Sequence, residues 1–445
     1  MEIVPRGVAF AAAALTGHNR NRVRLETSGA TSAGPSSIVT VTLPENCVID
    51  LKSLRMHMDL LTTSDPTTNV HAKLPADVSS LISGIEVYIG GIQVTSSHSE
   101  YGTVCKILKT VRSSRERDGS VDYLLSHGIH GIEDAVDDVS VVMSDWKGFL
   151  GESATRYMPT SLTGSITIRI SFAPSSVLGF KQTAVAAGAD FSSAASRAAA
   201  ALLTYSASNI YFTCDTIHLG DAYERMLMDR LSSEEYLPCN FKEYYTYSLH
   251  GTTGASHSIK FNLSASSIDK CYACFRDSNY QQSGIKSQIY TGSTYTNAIH
   301  SNAQHFKSFN SSNTKTGSLR THWTVANVRY PQYDATILDA AADLSLMTDQ
   351  VDTHSRGHMV TSLEHMNQGS CVIPLILNMP GQGLNVTSGY NSKGSSTQMS
   401  LEVTGQVPPV ANAGAQTTAA ISTFVVVETT AQLRISGNKQ AGVSF

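Results

Sequence analysis

One order of elements occurs twice along the chain. In the first half, an alternating apolar segment at Ile166–Phe172 leads through a proline and an Ala-rich stretch to a second apolar segment at Asn209–Leu219. In the second half, the alternation at Met399–Val403 leads through prolines and another Ala-rich stretch to Thr423–Ile435. Alternation with a period of two is typical of β-strands. The repeated order therefore predicts two similar β-domains in tandem.

Each half also carries one short amphipathic helix in its middle. The pattern predicts the first helix at Ser99–Val111 and the second at Tyr333–Met347. In the first helix, Tyr101, Cys105 and Leu108 fall on one face and lysines fall on the other. We interpret this helix as a one-sided cap on the open end of a β-sandwich.

The chain of 445 residues is long enough for two large β-domains. Asp221 is suited to cap a short helix between them, and the apolar residues that follow would pack that helix against both domains. We predict an N-terminal arm, a first β-domain, a connector helix and a second β-domain, with boundaries at residues 1–30, 31–220, 221–235 and 236–445.

The predicted arm joins an apolar stretch to a basic one. Val8–Leu15 is rich in alanine, and Arg20, Arg22 and Arg24 follow it. The apolar stretch is shorter than the ~20 residues that a membrane-spanning helix needs. The pattern lacks the features of a secretory signal, because the arginines follow directly. We expect the three arginines to contact lipid phosphates or packaged nucleic acid. The alternative is a tail without a role.

Composition excludes some classes of function. The formal net charge is −4, from 36 acidic and 32 basic side chains, and charged residues make up 15% of the chain. A dedicated nucleic-acid binder would concentrate basic residues on one face. A surface that depends on neutral hydrogen-bonding groups is typical of extracellular and assembly proteins.

Seven cysteines at irregular spacing do not form a disulfide framework. Most of them lie in or beside apolar runs, where a reduced cysteine behaves as a small hydrophobic residue. A single Cys-x-x-Cys pair inside an alternating strand is weak evidence for zinc, because a second pair is missing. We predict buried thiols at Cys47, Cys105, Cys214, Cys239 and Cys371, and no metal site at Cys271 and Cys274.

No motif commits the chain to catalysis. The sequence has no phosphate-binding glycine loop, no nucleophile elbow and no metalloprotease helix. We predict no catalytic, cofactor-binding or metal-binding residues. The groups that come closest are interpreted as solvated loop residues: His127, His130, Asp137, Asp138, Glu234, Glu235, Asp349, Asp352, His354, His358 and His365.

The most polar stretch of the chain is Asp277–His322, which is rich in Ser, Thr, Asn, Gln and Tyr. It lacks the Pro content and charge density of disordered segments. We predict an exposed loop with some strand content, suited to contact with solvent or a host glycan.

Several segments together resemble those of a known family. The strand, glycine turn and strand at Ile85–Val94, followed by a Tyr-bearing helix at Ser99–Leu108, resemble the same elements in double jelly-roll major capsid proteins of Polinton-like viruses and virophages. Three further segments agree with this resemblance, which spans most of residues 35–437: Asn209–Leu231, Leu237–Tyr244 and Arg329–Tyr333.

The resemblance implies an all-β fold of two tandem eight-stranded jelly rolls (a double jelly roll) with short capping helices. It also implies a major capsid protein that self-assembles as pseudo-hexagonal homotrimers into the icosahedral shell of a DNA virus. The expected location is the virion, with assembly inside the infected host cell. The implied partners are neighbouring capsomers, penton and minor capsid proteins, and possible partners are an internal membrane or the genome through the arm and a host glycan through residues 277–322.

Two other readings remain open at this point. The first is a viral spike or adhesin that binds glycans through the polar loop. The second is a secreted glycan-cleaving amidase made of two fused jelly rolls, which requires a cleft of buried carboxylates and usually contains disulfides.

Overall fold

The structure is a computed structural model of the 445-residue chain. It describes residues 19–65, 67, 70–74, 78–95, 100–111, 138–182, 202–219, 221–234, 236–277, 306, 308–311, 317–347, 371–378, 389–394, 397–407, 420–436 and 441–445.

Two antiparallel sheets face each other in the first roll. Their strand orders are β1-β12-β3-β8, with β9 beside β3, and β2-β10-β6-β7, while β4, β5 and β11 form a small additional sheet. The strands are β1 Asn19–Glu26, β2 Ile38–Thr42, β3 Val48–Thr62, β4 Ser64–Asp65, β5 Val70–Lys73, β6 Ile82–Ile89, β7 Ile92–Gln93, β8 Asp138–Met143, β9 Tyr157–Pro159, β10 Ile166–Phe172, β11 Gly179–Gln182 and β12 Tyr205–His218.

The second roll repeats this arrangement. Its sheets have the orders β13-β20-β15-β18, with β21 beside β20, and β14-β19-β16-β17. The strands are β13 Leu237–Thr252, β14 His257–Leu263, β15 Ile268–Asp277, β16 Arg320–Val325, β17 Val328–Ala335, β18 Val372–Ile376, β19 Thr397–Thr404, β20 Ile421–Ile435 and β21 Ala441–Ser444.

The two halves share one topology. In each half, the first, eighth, third and sixth main strands form one sheet, and the second, seventh, fourth and fifth form the other. This order is that of an eight-stranded jelly roll. The predicted all-β double jelly roll is therefore confirmed, and so is the repeat on which the prediction depended.

Alternation in the sequence becomes a buried row in the sheet. Leu25 pairs with Phe212, Phe212 pairs with Met56, and Met56 pairs with Met143 across four neighbouring strands. Residues directly opposite each other in antiparallel strands lie on the same face. This row therefore faces the interior of the first roll, where all four side chains contribute to its hydrophobic core.

Helices are few and short in the described part of the chain. A tight turn at Gly90 and Gly91, which both have positive φ, connects β6 to β7. The first helix follows this hairpin. The α-helices are α1 Tyr101–Val111, α2 Phe149–Glu152, α3 Thr160–Thr163, α4 Asp221–Glu234 and α5 Ile337–Met347, and two 3₁₀ turns lie at Val78–Leu81 and Ser175–Val177.

Helix α1 belongs to both rolls. Tyr101 and Cys105 pack into the core of the first roll. Val104, Ile107 and Val111 pack into the core of the second roll. The prediction of a one-sided cap on a single sandwich is therefore wrong, because the helix presents apolar side chains in two directions.

Two further sequence expectations need correction. Residues 19–26 form strand β1 instead of the predicted arm, and residues 1–18 lie outside the described residues. Tyr333 lies in strand β17, so the helix predicted from Tyr333 begins at Ile337.

Candidate assembly surface

The first roll covers one sheet of the second roll. Tyr247 of β13 stacks on Phe261 of the facing sheet, with ring centroids 4.5 Å apart. Because neighbouring side chains on a strand alternate between faces, Tyr244 points away from that sheet. Its hydroxyl donates a hydrogen bond of 2.7 Å to Glu152 at the end of α2. The outward side of the β13-β20-β15-β18 sheet is therefore in contact with the first roll.

Further contacts fix this internal interface. Ser153 forms a β-bridge with Phe241 at the edge of β13, and Phe241 meets Phe149 edge-to-face, with centroids 5.3 Å apart. At the other end of the sheet, the buried Arg276 donates a hydrogen bond to Thr103 of α1. Burial raises the pKa of Glu152, an effect that Lys147 and the Tyr244 hydrogen bond oppose. Strand β20 is consequently buried continuously from Ile421 to Ala431.

Within the described part of the chain, no element covers the corresponding sheet of the first roll. Strand β12, the counterpart of β20, exposes Ser206 and Ser208, and β3 exposes Arg55 and Leu61. Leu61 is 47% exposed, a high value for a leucine on a central strand of a sheet. We call the outward side of β1, β12 and β3 the open face, and it carries Arg22, Arg24, Arg55, His57 and Leu61.

Buried aspartates hold the arginines at one end of the open face. Arg22 donates from Nε to Asp215, at 2.8 Å, and Arg20 also donates to this carboxylate. Arg156 binds the fully buried Asp50 through two hydrogen bonds of 2.9 and 2.7 Å. The hydrogen bond from Arg22 is the main cause that lowers the pKa of Asp215.

Aromatic stacking joins further side chains on the open face. Arg24 lies over the ring of Tyr211, 4.0 Å from its centroid, and His57 stacks on the same tyrosine at 4.5 Å. Burial lowers the pKa of His57, and the positive charges of Arg55, Arg24 and Arg22 lower it further. Asp215 and Glu26 pair with Arg22 and Arg24 on the same face, so the open face carries charges of both signs and suits a polar partner surface.

The sequence-predicted site residues thus lie in a sheet. Arg20, Arg22 and Arg24 are paired along β12 in regular register, and each guanidinium side chain is more than half exposed. Sequence reasoning missed Asp215, whose carboxylate fixes two of them. The signal for the strand was available, because the arginines alternate with apolar residues over Val23 and Leu25. Their contact with lipid or nucleic acid stays a prediction.

Replacing Asp215 with asparagine should cost about 1–2 kcal/mol at neutral pH, since it weakens two partly exposed ion pairs. The native pKa of Asp215 is lowered, so its contribution is present above the unfolded pKa of about 3.9 and is lost as the pH falls through the folded pKa. Urea unfolding between pH 7 and pH 2 should show a smaller acid-dependent loss in Asp215→Asn than in the parent protein.

Glu26→Gln is the matched control for this experiment. Glu26 binds Arg24 at 2.6 Å, but both side chains are well exposed. Its removal should change the free energy of unfolding by less than about 0.5 kcal/mol. Equal losses in the two variants would show that burial of Asp215 adds nothing to its ion pairs.

Four buried carboxylates are held by cations within the sheets. Arg156 binds Asp50, Arg22 binds Asp215, and Lys242 binds both Asp269 and Glu428. The amidase reading requires carboxylates at a cleft, where they are free to act as acid or base. These four are instead parts of structural ion pairs.

The prediction of buried thiols is confirmed. All seven thiols are free and buried, and burial raises the pKa of Cys47 and of the Cys-x-x-Cys pair. Among the described residues, no group of three potential ligands could hold a metal ion. Within the same residues, no helix is long and apolar enough to cross a bilayer. The candidate histidines His127, His130, His354, His358 and His365 lie outside the described residues.

Known proteins are similar to this chain in structure but not detectably in sequence. No family model and no curated protein sequence matches the chain. The fold is similar to the capsid of the virus PBCV-1, at 12% identity and a TM-score of 0.60, over 97% of both chains. The chain has the double jelly-roll fold of viral capsid proteins.

Two other solved structures agree. The Faustovirus major capsid protein matches at 7% identity and a TM-score of 0.52, over 94% of this chain and 91% of that chain. A chain of the Sputnik virophage matches at 11% identity and a TM-score of 0.50, over 97% and 89%. The resemblance found in the sequence is thus confirmed for the fold. Neither the adhesin nor the amidase reading gains support from these structures.

Proposed function

We propose that this protein is a major capsid protein, and that three copies form a pseudo-hexagonal capsomer of an icosahedral virus shell. The proposal places the protein in the virion, after assembly in the infected host cell. It rests on the geometry of one surface, and the fold shared with viral capsid proteins supports it.

The observation that carries the proposal is the difference between two equivalent sheets. The first roll covers the outward side of β13-β20-β15-β18, while none of the described elements covers the open face of the first roll. A second copy of the chain offers the complementary cover, because its second roll can take the place next to this first roll. The contact between the two rolls of one chain is thus the template for the contact between two chains.

A head-to-tail contact of this kind either closes into a ring or continues as a filament. Each chain contributes two rolls of the same topology. Three chains then supply six similar units, so closure needs a rotation of about one sixth of a turn per roll. In a closed ring, each chain's open face is covered by the neighbouring chain. A discrete capsomer requires that no such face stays free.

Other contacts remain predictions. Neighbouring capsomers, penton proteins and minor capsid proteins are expected at the perimeter of the ring. The glycan contact of residues 277–322 also belongs to this proposal, and Phe306 is fully buried beside Arg276, so part of that segment is packed against the roll. A contact of Arg20, Arg22 and Arg24 with lipid or genome is an alternative to the contact between copies, because both would use the open face.

Leu61→Asp should disrupt the capsomer without unfolding the chain. Leu61 is already half exposed, so an aspartate there costs little in the monomer. In the proposed interface it would bury an unpaired charge, which we expect to weaken each contact by about 2 kcal/mol, or roughly 30-fold. Light scattering after size exclusion should show three times the 47.7 kDa chain mass for the parent protein and one chain for the variant.

Ile38→Asp provides the matched control. Ile38 is 53% exposed and lies in β2, in the other sheet of the same roll. This variant should keep the trimer mass. A parent protein that stays monomeric at all concentrations, and forms no shells by electron microscopy, would contradict the proposed function.

A further inference from the structure

An apolar groove lies where the connector helix crosses the end of the first roll. Val48, Leu162 and Ile217 form its floor, and Tyr223, Leu227 and Met228 of α4 form its wall. It encloses a cavity of about 80 Å³. This volume is roughly half that of an apolar cavity of about 150 Å³ that holds benzene, so it suits one aliphatic side chain.

No described residue fills the groove on its outer side. Met228 at its rim is 50% exposed, which is unusual for a methionine beside a hydrophobic core. Leu227 packs only partly against the core of the first roll. Burial raises the pKa of Tyr223, so the wall is already partly shielded from water. An apolar segment placed here would bury further apolar area.

The chain itself leads to this groove. Asn19, the first residue of β1, is paired with His218, and His218 lines the groove. Residues 1–18 precede this point and lie outside the described residues. Leu15 is four residues before Asn19, within about 14 Å for an extended chain.

We propose that the apolar segment Val8–Leu15 of the same chain docks in this groove, with Leu15 as the side chain that enters the cavity. The segment is uncharged, as the groove requires, and its alanines allow close approach to α4. Docking ties the N-terminus to the connector helix and thus to the joint between the rolls. This inference does not depend on the proposed capsid role.

Cross-linking tests the docking directly. In the full chain, Ala14→Cys is combined with Met228→Cys, and the rate of disulfide formation under a mild oxidant is followed by intact mass and non-reducing gels. A disulfide needs Cα atoms within about 7 Å of each other. We expect an intrachain bond that forms at least ten-fold faster than in the control pair Ala14→Cys with Val328→Cys. Val328 is 49% exposed in β17 of the second roll.

A third variant tests the anchor. Leu15→Asp, added to the Ala14→Cys and Met228→Cys pair, should slow the intrachain bond about ten-fold, because a carboxylate does not enter an apolar cavity. Equal rates in the two cysteine pairs would overturn the proposal. Bonds found only between chains would overturn it as well, and so would an unchanged rate with Leu15→Asp. Protection of the Ala14→Cys thiol by vesicles of anionic lipid, without the intrachain bond, would assign the segment to a membrane and reject the groove.

Discussion

Replacing Lys242 with methionine is expected to destabilise the protein by about 3–5 kcal/mol. Lys242 Nζ lies 2.7 Å from Asp269 and 3.1 Å from Glu428, and both carboxylates are buried in the β13-β20-β15-β18 sheet. Burial alone would lower the pKa of Lys242, but the two carboxylates outweigh it and raise the pKa. Methionine fills a similar volume and leaves two buried negative charges without their cation. Chemical unfolding at fixed protein concentration measures the loss.

Two variants separate charge from packing. Lys260→Met changes an exposed lysine on β14 and should alter the free energy of unfolding by less than about 0.5 kcal/mol. Adding Asp269→Asn and Glu428→Gln to Lys242→Met should recover part of the loss, because the remaining groups are then neutral and keep hydrogen-bonding partners such as Ser267 and Tyr272. If the added substitutions recover none of the lost stability, the loss is due to the packing of the Lys242 side chain and not to its charge.

Strands with strict alternation could be predicted from the sequence. Alternation in the sequence predicts a strand at Ile166–Phe172, and the structure has a strand with these bounds. Every second residue of this strand is fully buried in the sheet. The pair Gly90 and Gly91 was also sufficient to predict the hairpin, because both residues adopt positive φ. In such segments, local propensity and tertiary contacts favour the same structure.

Strands buried on both faces were harder to recognise. Val372–Ile376 is apolar throughout and has no period of two. Strand β20, predicted at Thr423–Ile435, likewise has no exposed side over Ile421–Ala431, because the first roll covers its outward side. A short continuous apolar run can be a strand or a buried helix. The reason for the missing alternation is a contact between distant parts of the chain.

The candidate surface could not be predicted from the sequence, because its contacts also join distant parts of the chain. Arg20 and Arg22 looked like part of a flexible arm, since their partner Asp215 is 195 and 193 residues away along the chain. The contrast between a covered and an open sheet is a property of the folded repeat. Sequence repetition predicted the two rolls, whereas only the structure shows how one covers the other.

Ile107→Asp is expected to uncouple the two rolls and to cost at least about 3 kcal/mol, because it buries an unpaired charge. Ile107 lies on α1, is fully buried and packs into the core of the second roll, while Tyr101 of the same helix packs into the first. The variant should unfold in two transitions where the parent protein unfolds in one. Calorimetry, followed together with near-UV circular dichroism, distinguishes the two cases.

Ile107→Val separates the charge from the loss of volume. It should cost only about 0.5–1.5 kcal/mol and keep one transition, because the contact between the rolls survives. The same helix also organises the cover of the β13-β20-β15-β18 sheet, since Thr103 accepts the hydrogen bond from Arg276. If α1 couples the rolls, Ile107→Asp should abolish trimers as well, although the open face is unchanged. Trimers that persist in a protein with two transitions would show that the contact between copies does not need the contact within the chain.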